Sequence, residues 1–248
     1  MTRRFGGPIV LLLAVGPVAL GIAAAAPEPD PSRRVERRPL RLDEATVIVE
    51  VNATEGDAGI QIFLDGEPWG SMAITGPTGE EVGDLLRITT WGRLQGHGLT
   101  ELFSESSEPS FNELPLRKFK RLFPEGRYRF AGTTIEGRRL AGGAILSHDI
   151  PNGPDLISPV EGEIVNPNNA VASWSPGNQP EGVDIVAYRA IVEREDPLRV
   201  FSVDLPASVT SVTIPPVFLE SGTEYLFELQ AVEASGNITI SELHFVVH

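Results

Sequence analysis

Four histidines, His97, His148, His244 and His248, are the side chains whose ordinary pKa lies nearest neutrality. One sits in the run Ser147-His148-Asp149, which holds the three residue types of a hydrolytic triad. Adjacent residues of a strand point to opposite faces, so these three cannot relay a proton among themselves. The chain has no Gly-x-Ser-x-Gly elbow and no His-Glu-x-x-His zinc helix. It has no cysteine, which excludes thiol nucleophiles, thiolate metal sites and disulfides. Its 34 acidic residues offer many carboxylate pairs. A glycosidase needs two of them about 5–10 Å apart in one cleft, with one pKa raised, and spacing along a chain does not reveal that. The expectation is a non-catalytic protein without metal or cofactor, with an unrecognised carboxylate pair as the enzymatic alternative.

Three other groupings have residue types suited to binding. Trp91, Arg93 and His97 lie in the glycine-rich stretch Trp91-Gly92-Arg93-Leu94-Gln95-Gly96-His97-Gly98. An exposed aromatic with polar neighbours stacks well on a sugar ring, although Trp91 would serve equally well as a core residue closing one end of a sandwich. Arg117, Lys118, Lys120 and Arg121 interleave with Leu116, Phe119, Leu122 and Phe123. That spacing predicts a short helix with apolar residues inward and cations outward, ended at Pro124-Glu125-Gly126. Its charged face reads either as an ordinary solvated surface, as a dock for the acidic second half of the chain, or as a patch for a polyanion. Asn52, Glu55 and Asp57 share one polar turn, where hard oxygen ligands suit calcium and plain turn chemistry is the simpler account.

The elements that position these groups can be read in order. Arg3 and Arg4, the apolar run Ile9–Leu20 and Ala24-Ala25-Ala26 form the pattern of a cleaved export signal over residues 1–26. Residues 27–43, with alternating proline and an arginine run, read as an extended linker. A first domain is expected over 44–150. Val47, Val49 and Val51 alternate as a strand, and Ile60, Ile62 and Leu64 lead to Asp65-Gly66, a dipeptide suited to a tight hairpin. Between Gly92 and Ser110 the pattern fades into a long excursion. Tyr128 and Phe130 open another strand, Glu136-Gly137 turns it, and Leu140–Leu146 returns. Asn152-Gly153-Pro154 marks a boundary, and a second domain is expected over 151–248.

Charge is uneven. The net charge is −14, and residues 151–248 hold fourteen acidic side chains against three basic ones. A mature chain this acidic is repelled by nucleic acid and by anionic membrane surfaces. Arginine far outnumbers the two lysines, as in bacteria with GC-rich genomes.

Trp174, Tyr188 and the run Leu219, Gly222, Tyr225, Phe227, Ala231, Val232, followed by Gly236, resemble a fibronectin type III domain from about Pro154 to His248. The resemblance implies a seven-strand Greek-key sandwich in which the Tyr225 hydroxyl bonds back to the nearby chain. It also implies a spacer or binding scaffold, without naming a partner. Gly126-Arg127-Tyr128-Arg129-Phe130 echoes the Gly222–Phe227 segment, so the first domain looks immunoglobulin-like. The expected fold is all-β: two β-sandwiches, with one short helix in the first. The expected function is an exported binding or spacer protein, periplasmic or extracellular. Its partner is an unknown protein or glycan, not nucleic acid, and not a membrane once the signal is removed. A carbohydrate-binding module using the Trp91 loop is the nearest alternative.

Overall fold

The computed structural model describes residues 38–77 and 83–248, and Arg38–His248 form one compact unit. The expected signal segment, residues 27–37 of the expected linker and the centre of the turn after Gly76 lie outside the described residues.

The chain is all-β, with one α-helix among the described residues. The first half runs β1 (Leu40–Arg41), β2 (Glu44–Asn52), β3 (Asp57–Thr75), β4 (Asp84–Thr89), β5 (Leu99–Glu105), α1 (Leu116–Leu122), β6 (Gly126–Thr134) and β7 (Arg139–Leu146). The second runs β8 (Asp155–Ser158), β9 (Glu163–Val165), β10 (Val171–Ser175), β11 (Ile185–Arg194), β12 (Arg199–Pro206), β13 (Ser211–Thr213), β14 (Glu224–Glu233) and β15 (Ile238–Val247).

Alternation builds two separate cores. Val47, Val49 and Val51 of β2, Ile60, Ile62 and Leu64 of β3, and Tyr128 and Phe130 of β6 bury one face of each strand in the first core. Trp174, Tyr188, Tyr225, Phe227, Leu229 and Phe245 fill the second. Each buried Val, Leu, Ile or Phe adds roughly 1.5–3 kcal/mol of apolar transfer, which lets a chain without disulfides hold together.

One sheet crosses both cores. Its path is β1-β7-β6-β3-β2-β15-β14-β11-β12, with β4 and β5 also on β3 and β9 on β15. The join is the parallel pairing of β15 with β2, at Ile238 beside Glu50, Thr239 beside Val51 and Ile240 beside Asn52. A separate three-stranded sheet, β13-β10-β8, covers the second core.

Several local expectations change. Asp65-Gly66 is not a hairpin turn, because β3 runs on through it for 19 residues. Leu42 explains the glycine: a Cβ at Gly66 would lie 2.9 Å from Leu42 Cδ2. Past this point β3 exchanges neighbours, pairing first with β2 and β5 and then with β4 and β6. The excursion after Gly92 contains β5, paired with β3. Residues 38–43 are not all linker, since Leu40 and Arg41 pair with Leu140 and Ala141 of β7. The helix forms where expected and buries Phe119, but Leu122 is exposed rather than packed inward.

Candidate functional site

Trp91, Arg93 and His97 share one turn. Trp91 is the N-cap of a 3₁₀ turn over Gly92–Gly96, and all three side chains are exposed. Trp91 is 79% accessible, so it is not the residue that closes the core. Trp69 fills that role at 0%. Gly98 ends the turn at φ +74°, close against the Trp69 backbone, where a Cβ would sit 3.0 Å from both its N and its O. The loop therefore leaves the fold abruptly and presents an aromatic ring to solvent.

The four basic residues of α1 do not converge on the second half. Arg117, Lys118 and Arg121 are exposed, and Lys120 Nζ donates to the His148 carbonyl at 3.3 Å. Among the described residues, the ion pairs involve none of the four. The junction is built by other groups. Thr54 Oγ1 accepts the Glu242 N–H at 3.0 Å, Thr239 Oγ1 donates to the Pro151 carbonyl at 2.5 Å, and the Ala53 N–H meets the Ile240 carbonyl at 2.9 Å.

Asn52 acts as a turn former. Its Oδ1 accepts the N–H groups of Thr54 and Glu55, both at 3.0 Å. Asp57 is buried at the start of β3, and Glu55 stays exposed.

The carboxylates that do meet lie beside the seam. Glu50 of β2 is 6% exposed. Its Oε2 accepts from Gln61 Nε2 at 2.5 Å, and the same amide reaches Glu105 Oε1 at 3.0 Å. Glu108 lies over this point because Gly59 offers no side chain; a Cβ there would be 2.9 Å from Glu108 Cγ. One oxygen each from Glu50, Glu105 and Glu108 falls within 4.8 Å of the others. Across the seam, Glu228 of β14 stands directly opposite Glu242 of β15. Glu228 is buried, with Gln230 Nε2 donating to it at 2.6 Å.

None of the ion pairs among the described residues includes these five. Burial, then the charges of Glu105, Glu108 and Glu228, push Glu50 up to about 9. Burial, then Glu105 and Asp57, push Glu108 up to about 7. Burial pushes Glu228 up to about 7, against the donation from Gln230. Glu242 is raised, chiefly by burial. Such a set holds protons at neutral pH, and its oxygens are also of the type a hard divalent cation takes. Two concavities of about 150 and 240 Å³ lie elsewhere, around Pro68 and Arg138 and around Thr46 and Gly143.

Sequence reasoning singled out neither the Glu50–Glu108 contact nor the crossing of the seam. The residues are 58 positions apart in Glu50 and Glu108 alone. The one local signal was Gly59, a glycine inside an alternating strand, which marks a close approach. No family model matches this chain, and no curated protein matches it.

Proposed function

We propose that this is an exported, non-catalytic binding or spacer protein whose two β-sandwich modules act as one body. The observation that carries the reading is the parallel β15–β2 pairing, which continues one sheet from the first core into the second. Backbone pairing across a junction restrains the angle between modules far more than a flexible linker does. A fibronectin type III-like second module is supported by the three-stranded sheet β13-β10-β8 covering the β12-β11-β14-β15 stretch. It is also supported by the edge-on Trp174–Tyr188 contact at 5.5 Å and by the Tyr225 hydroxyl, which donates to the Phe218 carbonyl at 3.2 Å. Export is supported by the signal pattern of residues 1–26.

Fractionation of bacterial cells making the chain with and without residues 1–26 tests export. The full chain should leave the cytoplasm and the shortened one should stay; retention of both overturns the export half of the reading. A panel of glycoside and ester substrates tests the other half. Turnover that disappears in Glu50→Gln or Glu108→Gln would establish an enzyme instead.

The exposure of Trp91 favours a second reading, a carbohydrate-binding module centred on that loop. A glycan array on the wild type and Trp91→Ala decides it. Binding unchanged by the substitution would remove the loop from consideration.

A further inference from the structure

In the first half, Tyr128 and Phe130 of β6, Leu140 of β7 and Ile74 of β3 point into the core. Their neighbours along each strand therefore share the opposite, outer face. Register places five of these in one row across five strands: Arg41, Ala141, Ala131, Ala73 and Arg87. Three alanines thus form a floor between two arginines, about 19 Å from end to end at the usual strand spacing of about 4.8 Å. Arg139 lies one row to one side, opposite Thr133. Arg129 lies one row to the other, between Gly143 and Thr75, with Arg127 beyond it opposite Ile145.

Charge makes this face unlike the second half of the chain. The chain carries 34 acidic against 20 basic residues. In the second half, Arg189, Arg194 and Arg199 are each paired with a carboxylate at 2.5–2.6 Å. Among the described residues of the outer sheet face, only Arg87 is paired, with Asp84. Arg41, Arg127, Arg129 and Arg139 form no ion pair among the described residues, and all four are exposed.

We propose that this face binds a linear polysaccharide bearing carboxylates, laid over the alanine floor and held by the surrounding arginines. The proposal deepens the binding-module reading above and rests on it. A guanidinium fork matches a carboxylate in bidentate geometry. Small floor side chains let a flat sugar strand approach the sheet. A single flexible strand also stays inside the frame. A bilayer or a nucleic acid duplex would press its own charge against carboxylates at the edges of the face, Asp84 beside Arg87 and the exposed Glu136 in the turn between β6 and β7.

The probe is polygalacturonate, with polyphosphate, neutral dextran and anionic phospholipid vesicles as alternatives, titrated onto purified protein at about 20 mM and about 0.5 M salt. The expected result is binding to polygalacturonate at low salt that is lost at high salt. Arg127→Ala with Arg129→Ala should weaken it at least about tenfold. Ala131→Glu, which leaves every arginine in place, should do the same. Arg117→Ala with Lys118→Ala and Arg121→Ala should leave it unchanged. Circular dichroism and the urea midpoint establish that each variant is folded. No binding by the wild type, undiminished binding by both face variants, loss in the helix variant alone, or tighter binding to polyphosphate or vesicles would overturn the proposal. Cytoplasmic retention in the fractionation would overturn export while leaving this binding intact.

Discussion

Asn237 Oδ1 accepts the backbone N–H of Val49 at 2.9 Å, joining residues 188 positions apart. The same side chain donates through Nδ2 to the carbonyls of Ser147 and Asp149, each at 3.0 Å. Asn237 is 1% exposed and its bond to Val49 is buried, so that N–H depends on it rather than on water. One amide thus ties the start of β15 to β2 and to the segment connecting the two halves.

Asn237→Ala should therefore lower the stability of the folded chain by about 1–3 kcal/mol, since it leaves the buried Val49 N–H unsatisfied and removes two part-buried bonds to carbonyls. Urea unfolding checks this. A loss below about 0.5 kcal/mol would mean that the seam is held by the strand pairing alone.

Stability should fall as pH rises through the weakly acidic and neutral range. Glu50 ionises near 4.5 ordinarily and near 9 when folded. Between those values the folded protein keeps a proton that the unfolded chain releases, so the stabilisation is complete below the lower value and lost towards the upper. Glu108 and Glu228, raised to about 7, steepen the loss up to neutrality. Glu50→Gln keeps an acceptor for Gln61 without a charge. It should raise Tm at pH 8 by at least about 3 °C and flatten the profile. Scanning fluorimetry from pH 5 to 9 is the measurement, and a wild-type Tm that climbs with pH would refute the proton-sharing account.

The two buried tyrosines at turns should differ in worth. Tyr225 Oη accepts the Glu220 N–H at 2.9 Å and donates to Phe218, whereas Tyr128 Oη makes one bond, to the Pro124 carbonyl at 3.0 Å. Tyr225→Phe should cost about 2–3 kcal/mol and Tyr128→Phe about 1 kcal/mol. Equal costs in chemical denaturation would show that the second Tyr225 bond adds nothing.

Trp91 and Trp69 provide a contrast within one residue type. Trp91→Ala should change stability by less than about 0.5 kcal/mol, because its ring is in solvent. Trp69→Ala should cost about 3–5 kcal/mol through the cavity it leaves. Thermal and urea unfolding of both variants tests the assignment of the two rings.

Much of the fold was readable from alternation alone. The valines of β2, the Ile60-Ile62-Leu64 run, Tyr128 with Phe130, and Tyr225 through Ala231 all declare a buried face within a few residues, because side chains in a strand alternate with a period of two. The helix was readable for the same kind of reason, with Phe119 at its buried centre. Strand β5 escaped notice because only Leu99, Leu102 and Ser104 of its seven residues are even partly buried. Asp65-Gly66 misled because a glycine serves a close packing contact as readily as a turn.

The sequence by itself determined an all-β chain, its alternating core residues, and the excess of acid that sets its overall charge. Tertiary structure decided which strands pair, and with that the rest. The β15–β2 register places Glu50 and Glu228 on either side of one seam, where burial and like charge hold protons on them. The pairing of β1, β7, β6, β3 and β4 brings Arg41 and Arg87 into one row, although the two are 46 positions apart in the chain. Alternation is a local property and can be read locally. The company a charged side chain keeps depends on partners distant in sequence, and only the folded sheet supplies them.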